Sequence, residues 1–399
     1  MTENGMKAAL DHYGYFTFAF LFAAAGASAQ DAPPAPVLEA LATGVVEVRD
    51  IRIDAASRNS DGAVLWTGEV AVAEAPWLRL LLRTEGPPFP DGSFVALFTA
   101  DDGRSDLPLA ELPREGYWTD LLPHGRVRLA VVTGDGTLNP ASALVIDSLS
   151  YPGQEIAAYS AHGGNQITGI NDPSVPEEIR RLGRPVAYLS FLAGGRSGIC
   201  TGFLVGRDLL MTNEHCINSD ESCRSLSATF GYEVGVDGKL SYGRQYRCAG
   251  YDPRLTSFDL DVTVVRLKDG PGDVYGMIDP ATASDDLTGP MAVIQHSGHN
   301  ATRTKEVSLV DCAIAAAPVN GRAVDSDFTH TCDTAKGTSG APVLDLAGHF
   351  RGLHHFGFRD DDSDIWTENR GVRGPLIRDW LADVLAETTL SDGGDATHP

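Results

Sequence analysis

The sequence predicts an all-β chain: an antiparallel β-sandwich, then a second, cysteine-bearing β unit that closes on a single helix. Three observations predict it. Residues 45–150 are short β-rich runs separated by turn chemistry, with no helical period. From Val186 onward the β pattern continues until the last segment, where apolar residues fall on one helical face. Residues 30–160 contain neither cysteine nor lysine, whereas all six cysteines stand at Cys200 or later. That break in composition separates two units. With 399 residues, 43% apolar and 21% charged, there is material for two cores, and extended disorder is excluded.

Taken in order, residues 15–25 (YFTFAFLFAAA) have the length of a signal h-region and are too short to span a bilayer. Ala27-Ser28-Ala29 offers a small-x-small cleavage pattern, and the Pro-rich QDAPPAP follows. The expectation is a signal peptide over 1–29 and a secreted or periplasmic protein. Val46, Val48, Ile51 and Ile53 open the sandwich over 30–160, which continues through runs at 78–83, 93–98, 126–132 and 143–147. PPFPDG, DDGRSD, PREG and GDG supply the turns between them. Residues 161–185, with Gly163-Gly164, Asp172-Pro173 and Pro176, read as a linker. The second unit runs over 186–389. Near its end Ile377, Trp380, Leu381, Val384 and Leu385 share a helical face after Gly374-Pro375. Residues 390–399 read as a tail.

The formal net charge is -23, spread over both units, with -10 in residues 30–160. Nucleic-acid binding and attachment to an anionic membrane both need a basic face, so neither is expected. No stretch approaches 18 uninterrupted apolar residues, so no membrane insertion is expected either.

Three segments carry chemistry. CTGFLV at 200–205 is followed by LLMTNEHC at 209–216; FDLDVTVVRL occupies 258–267; GTSGAPV occupies 337–343. A serine hydroxyl needs a nearby base, a histidine can be that base, and a carboxylate can fix the imidazole tautomer. In this order the blocks resemble those of the trypsin-like (chymotrypsin-fold) serine endopeptidases, over about residues 186–389. The resemblance implies a chymotrypsin-like double β-barrel with a C-terminal helix. It also implies a catalytic triad of His215, Asp261 and Ser339, with an oxyanion hole from the N–H groups of Gly337 and Ser339. Asp259 competes with Asp261 on strand alternation alone; the family pattern, with the carboxylate just before the apolar run, selects Asp261.

The resemblance further implies a Cys200–Cys216 bridge around the histidine. Cys223 with Cys248, and Cys312 with Cys332, are the remaining neighbours in sequence, but six cysteines allow 15 pairings. No cysteine stands in a C-x₂-C pair, so a zinc site is not expected, and no cofactor is needed. Asp360, Asp361, Asp362 and Asp364 read as a solvated loop rather than a calcium site.

Thr338 departs from the digestive-type members, which carry an Asp there to pair with a newly freed amine, so activation by that switch is not expected. The wording TNEHC at 212–216, GTSGAPV at 337–343 and GLHHFG at 352–357 resembles most the bacterial glutamyl-endopeptidase-like branch. His354 and Thr334 match pocket positions that contact an acidic P1 side chain. Asp333, six residues before Ser339, stands where other members bind Lys or Arg, which leaves P1 preference open.

The implied function is hydrolysis of protein or peptide substrates through an acyl-enzyme. The rivals are a catalytically silent binding protein on a protease scaffold and an esterase using the same triad. The sandwich resembles accessory or pro-domains of secreted bacterial proteases, with folding, inhibition or surface binding as its candidate roles.

Overall fold

The computed structural model describes residues 44–153, 159–160, 165–298, 300, 302–359 and 366–392. The expected signal peptide, the acidic run 360–364, Gly163-Gly164 and most of the expected tail lie outside these residues.

The N-terminal unit is a sandwich of two antiparallel sheets. One orders its strands Gly44–Ile53, Ala143–Pro152, Trp77–Glu85 and Tyr117–Trp118; the other runs Val64–Ala71, Arg126–Val132, Phe94–Thr99 and Arg104–Pro108. Alternating apolar residues from both sheets meet between them. Ile53, Leu65, Leu78, Leu80, Leu82, Val95, Val127, Val131, Leu144 and Ile146 are all buried there. Val46, Val48, Ile51 and Ile53 do lie on one strand, but the spacing changes phase between Val48 and Ile51. The strand absorbs this with a register shift at Asp50, whose φ is 46°, and Val48 is left exposed.

The C-terminal unit is a closed six-stranded barrel and a half-barrel built from an eight-stranded sheet. In the first, Leu209–Thr212, Arg196–Leu204, Val186–Ala193, Ser227–Val234, Leu240–Gly250 and Val262–Leu267 pair in turn, and Val262–Leu267 pairs back to Leu209–Thr212. In the second, the order is Thr168–Gly169, Glu306–Ser308, Met291–Gln295, Pro342–Asp345, Phe350–Arg359, Trp366–Arg373, Asp327–His330 and Ile314–Val319. A single bridge between Pro290 and Ala313 brings the starts of Met291–Gln295 and Ile314–Val319 together. This is the chymotrypsin-like double barrel that the motifs implied. All six cysteines are bridged, as Cys200–Cys216, Cys223–Cys248 and Cys312–Cys332. The helix Gly374–Asp392 begins at the expected Gly-Pro. Ile377 and Leu381 are buried in the core shared by the two barrels, with Trp380, Val384 and Leu385 packed beside them.

The stretch expected to link the units is packed onto the second barrel. Thr168–Gly169 adds a short edge strand against Glu306–Ser308 and Glu177–Leu182 forms a helix; just before this stretch, at the end of the span expected for the sandwich, Tyr159–Ser160 pairs with Thr334–Ala335. Ile170, Val175 and Ile179 are buried in the same core as the C-terminal helix, so apolar burial holds this segment down.

The sandwich joins the first barrel through buried contacts. Trp77 packs edge-on against Tyr188, with Leu121, Ile199 and Tyr232 around them. The guanidinium of Arg79 is fully buried and donates to the carbonyl oxygens of Thr119 (2.8 Å), Ser190 (3.1 Å) and Ser225 (2.7 Å). The last two belong to the barrel. Tyr242 Oη donates to the Pro76 carbonyl, and Gln245 exchanges hydrogen bonds with the Leu121 backbone.

Candidate active site

His215 follows the strand Leu209–Thr212 in a turn closed by Cys216 N–H and Ile217 N–H on the Asn213 carbonyl. The Cys200–Cys216 bridge ties that turn to the neighbouring strand. Asn213 Nδ2 donates to the Asp261 carbonyl at 2.8 Å and so links the turn to the next segment of the site.

Asp261 ends a turn in which its own N–H bonds the Phe258 carbonyl, and its φ is 45°. A non-glycine residue is strained in that region, which is typical of functional positions that the surroundings over-determine. Asp261 is fully buried while Asp259 is exposed. Strand alternation had left both open; the chain is not extended at Asp259, so only Asp261 turns inward.

His215 Nδ1 lies 2.8 Å from Asp261 Oδ2, and the His215 N–H donates to Oδ1 at 3.0 Å. One carboxylate thus fixes both the ring and the backbone of the histidine. Arg322 adds a contact of 3.1 Å to Asp261 Oδ1 while its other nitrogen holds Glu214 at 2.7 Å. His355 Nδ1 lies 3.3 Å from Oδ2. Burial alone would raise the Asp261 carboxyl, but the charges and hydrogen bonds of His215 and His355 hold it well below the usual carboxylate range.

Ser339 sits in a turn that needs glycine at two positions, two residues before it and one after. Gly337 has φ 101° and Gly340 φ 85°. A Cβ on Gly340 would stand 2.1 Å from the Thr201 carbonyl oxygen, and one on Gly337 would stand 2.7 Å from that of His296. The turn is pinned from three sides. Thr201 N–H bonds the Ser339 carbonyl, Thr201 Oγ1 bonds the Gly337 carbonyl, and Gly340 N–H bonds the His354 carbonyl. Neither the Gly337 N–H nor the Ser339 N–H has an acceptor among the described residues. Ser339 Oγ donates to the His355 carbonyl at 3.3 Å.

Thr338, the departure from the digestive pattern, is built into the floor beneath the turn. Its hydroxyl bridges Gln295 Oε1 and the backbone of Ala335, and Gln295 Nε2 in turn donates to the Asp333 carbonyl and to Ser308 Oγ. A neutral network thus occupies the place of the ion pair.

The three pocket residues are all buried, but their polar groups are engaged differently. Asp333 Oδ2 accepts the backbone N–H of Gln166, from the packed connecting segment, at 2.7 Å. Thr334 Oγ1 donates to Asn369 Oδ1 at 2.8 Å. His354 Nδ1 meets His330 Nε2 at 3.0 Å, and its Nε2 has no partner among the described residues. Burial first, then the neighbouring His330, push the His354 ring well below the usual histidine range, so it is neutral. The expected alternative in which Asp333 and His354 pair with each other is not what the described contacts contain.

The sequence alone assigns no site role to Asn213, Gln295, Arg322, Asp327 or His355. Gln295 stands in QHSG at 295–298, which reads as a structural turn, and His355 in the run GLHHFG at 352–357. Among the described residues, the one cluster with metal-ligating atoms close together is Cys200, His215 and Cys216, and both its sulfurs are occupied in the disulfide.

Residues 200–353 match the family model described as a trypsin-like peptidase domain. A curated relative, the uncharacterized protein y4fB of Sinorhizobium fredii, is 32% identical over 193 residues, which is 44% of this chain and 28% of that protein. The chain therefore spans well under two thirds of that relative's length. Among solved structures, a Glu endopeptidase aligns at 19% identity and TM-score 0.40, covering 56% of this chain and 98% of its own. The active form of the Rv3671c protease of M. tuberculosis aligns at 17% identity and TM-score 0.38, covering 57% and 89%. A serine endoprotease of Yersinia pestis aligns at 14% identity and TM-score 0.37, covering 54% and 69%.

Proposed function

We propose that this chain, which carries a trypsin-like peptidase domain over residues 200–353, is a secreted or periplasmic serine endopeptidase with Ser339 as nucleophile. The observation that carries the reading is the His215–Asp261 couple. One buried carboxylate accepts both the ring and the backbone N–H of His215, and His355, whose ring meets the same carboxylate, accepts Ser339 Oγ–H on its carbonyl. With Nδ1–H held by Asp261, Nε2 is the basic nitrogen, which is the tautomer a general base requires.

In the reaction, Ser339 Oγ leaves the His355 carbonyl, gives its proton to His215 Nε2 and attacks the scissile carbonyl carbon. The tetrahedral oxyanion takes the free N–H groups of Gly337 and Ser339, each such donor being worth about 10²–10³ in rate. His215 then returns the proton to the leaving amine. Water, activated by the same imidazole, hydrolyses the acyl-enzyme and restores Ser339. Asp261 stays ionised throughout and stabilises the imidazolium.

The pocket favours an acidic P1 side chain over Lys or Arg. The Asp333 carboxylate is already engaged by Gln166 N–H, whereas His354 Nε2 is unpartnered among the described residues and can donate to a carboxylate. The sandwich is read as a permanent accessory domain, since its removal would uncover Trp77 and Tyr188 and strip the Arg79 donor from two barrel carbonyls.

A cleavage profile of a peptide library tests both parts. The expected result is cleavage after Glu or Asp by the wild-type chain and none by Ser339→Ala. Equal cleavage by the two would reject the nucleophile, and cleavage confined to Lys and Arg would reject the pocket reading.

A further inference from the structure

Behind the catalytic couple lies a second histidine that the reaction as described does not use. His355 is buried on the strand Phe350–Arg359, with Nδ1 3.3 Å from Asp261 Oδ2 and Nε2 2.8 Å from Asp327 Oδ2. Asp327, fully buried at the start of the strand Asp327–His330, also accepts Ser326 Oγ–H at 2.7 Å on its other oxygen. An ionised carboxylate only accepts hydrogen bonds. A ring whose two nitrogens both face carboxylate oxygens must therefore carry two N–H groups, which makes it an imidazolium. The run Asp327–His355–Asp261 then alternates in charge from its buried end and stops at the neutral His215.

We propose that His355 acts as a charged positioning residue, an imidazolium clamped by Asp327 that holds Asp261 in the orientation His215 needs. It touches neither substrate nor the reacting atoms by its ring, and it works through Asp261 alone. The inference rests on the reading of His215, Asp261 and Ser339 as the catalytic triad.

The groups around His355 support a charged ring. Asp327 and Asp261 face its two nitrogens, and Phe356 lies against its plane with ring centroids 3.6 Å apart. Across Asp261 stand His215 and Arg322, and Arg322 is also held by Glu214. His354, the neighbour on the same strand, is neutral and backed by His330. Charges on Glu214, Asp261 and Asp327 against those of Arg322 and His355 leave this cluster one negative charge. The proton that His215 gains during attack neutralises it. Burial would lower the His355 ring, but the Asp327 charge and the hydrogen bonds to Asp261 and Asp327 raise it above the usual histidine range.

The sign of the pH effect follows. If Asp327 is what keeps His355 charged, Asp327→Asn lets the ring lose its proton at lower pH. Asp261 is then released as pH rises. The expected result is that the alkaline limb of kcat moves down by about one pH unit in Asp327→Asn, with KM little changed. His355→Gln should lower kcat while leaving the alkaline limb where the wild type has it, because nothing at that position titrates. A merely structural role would lower activity in both variants without moving either limb.

Nuclear magnetic resonance of ring-labelled histidine supplies an arm that needs no catalysis. In the full chain, both His355 ring nitrogens should be protonated at pH 7 to 8. An unprotonated ring nitrogen there would overturn the proposal, and so would an unmoved alkaline limb in Asp327→Asn. If the wild-type chain cleaved nothing while His355 was doubly protonated, the peptidase reading would fall and the charged clamp would stand.

Discussion

The sandwich and the second barrel are both antiparallel β structures with apolar interiors, yet they bury charge in opposite ways. Among the described residues, the sandwich fully buries one charged side chain, Arg79, and directs it out of its own core into the first barrel. The second barrel buries Arg303, Lys305, Glu306, Asp327, Asp333 and Arg351, together with His296, His330, His354 and His355. In the first barrel Asp261 is the buried charge. A buried charge is costly unless paired and hydrogen-bonded, so it survives where its partners are fixed and where orientation matters more than stability. By that measure the sandwich is built for packing and the junction. The second barrel holds its buried charges in fixed pairs, such as Arg351 with Asp345 and His355 with Asp327.

The comparison can be broken at Arg79. Burial pushes its guanidinium down to about 9, still charged at neutral pH, and carbonyl oxygens of both domains hold it. Arg79→Met keeps the volume and removes the donors. The expected loss is about 2–3 kcal/mol in a denaturant titration, since several buried carbonyls lose a charged donor. A loss below about 0.5 kcal/mol would show that the junction does not depend on this residue.

A smaller effect sharpens the other side. In the second barrel, burial would raise the Asp345 carboxyl, but hydrogen bonds from the His349 ring and backbone and from Arg351 bring it down to about 2. A depressed carboxylate contributes stability that is present above its unfolded value, near 4, and is lost as pH falls through the folded one. Asp345→Asn should therefore cost about 1 kcal/mol at pH 7, after allowance for partial exposure, and converge with wild type near pH 2. Parallel stability curves across that range would remove Asp345 as the source.

What could be read from the sequence follows the same divide. Sandwich strands announced themselves through alternation and turn residues, because each pattern is local. His215, Asp261 and Ser339 could be singled out as candidates because each sits in a short block with marked neighbours: Cys216 beside the histidine, the apolar run after the aspartate, glycines around the serine. Arg322 and Asp327 were not legible. Their partners lie across the fold at no fixed spacing, and a surface arginine or aspartate is the ordinary reading of either. Where the segment expected as a linker over 161–185 packs was not legible for a related reason. Its Gly and Pro residues mark turns, but Ile170, Val175 and Ile179 decide where it packs. Asp333 was placed by interval as a pocket carboxylate, and what engages it is the backbone of that same segment.

Everything proposed for the catalytic site requires that Ser339 is the residue His215 activates. The most direct measurement is reaction of the full chain with a fluorophosphonate, followed by peptide mass mapping, in wild type and in His215→Ala. The account predicts one adduct, on Ser339, formed by the wild type and lost with the histidine. An adduct elsewhere, or labelling of Ser339 at the same rate without His215, would contradict it.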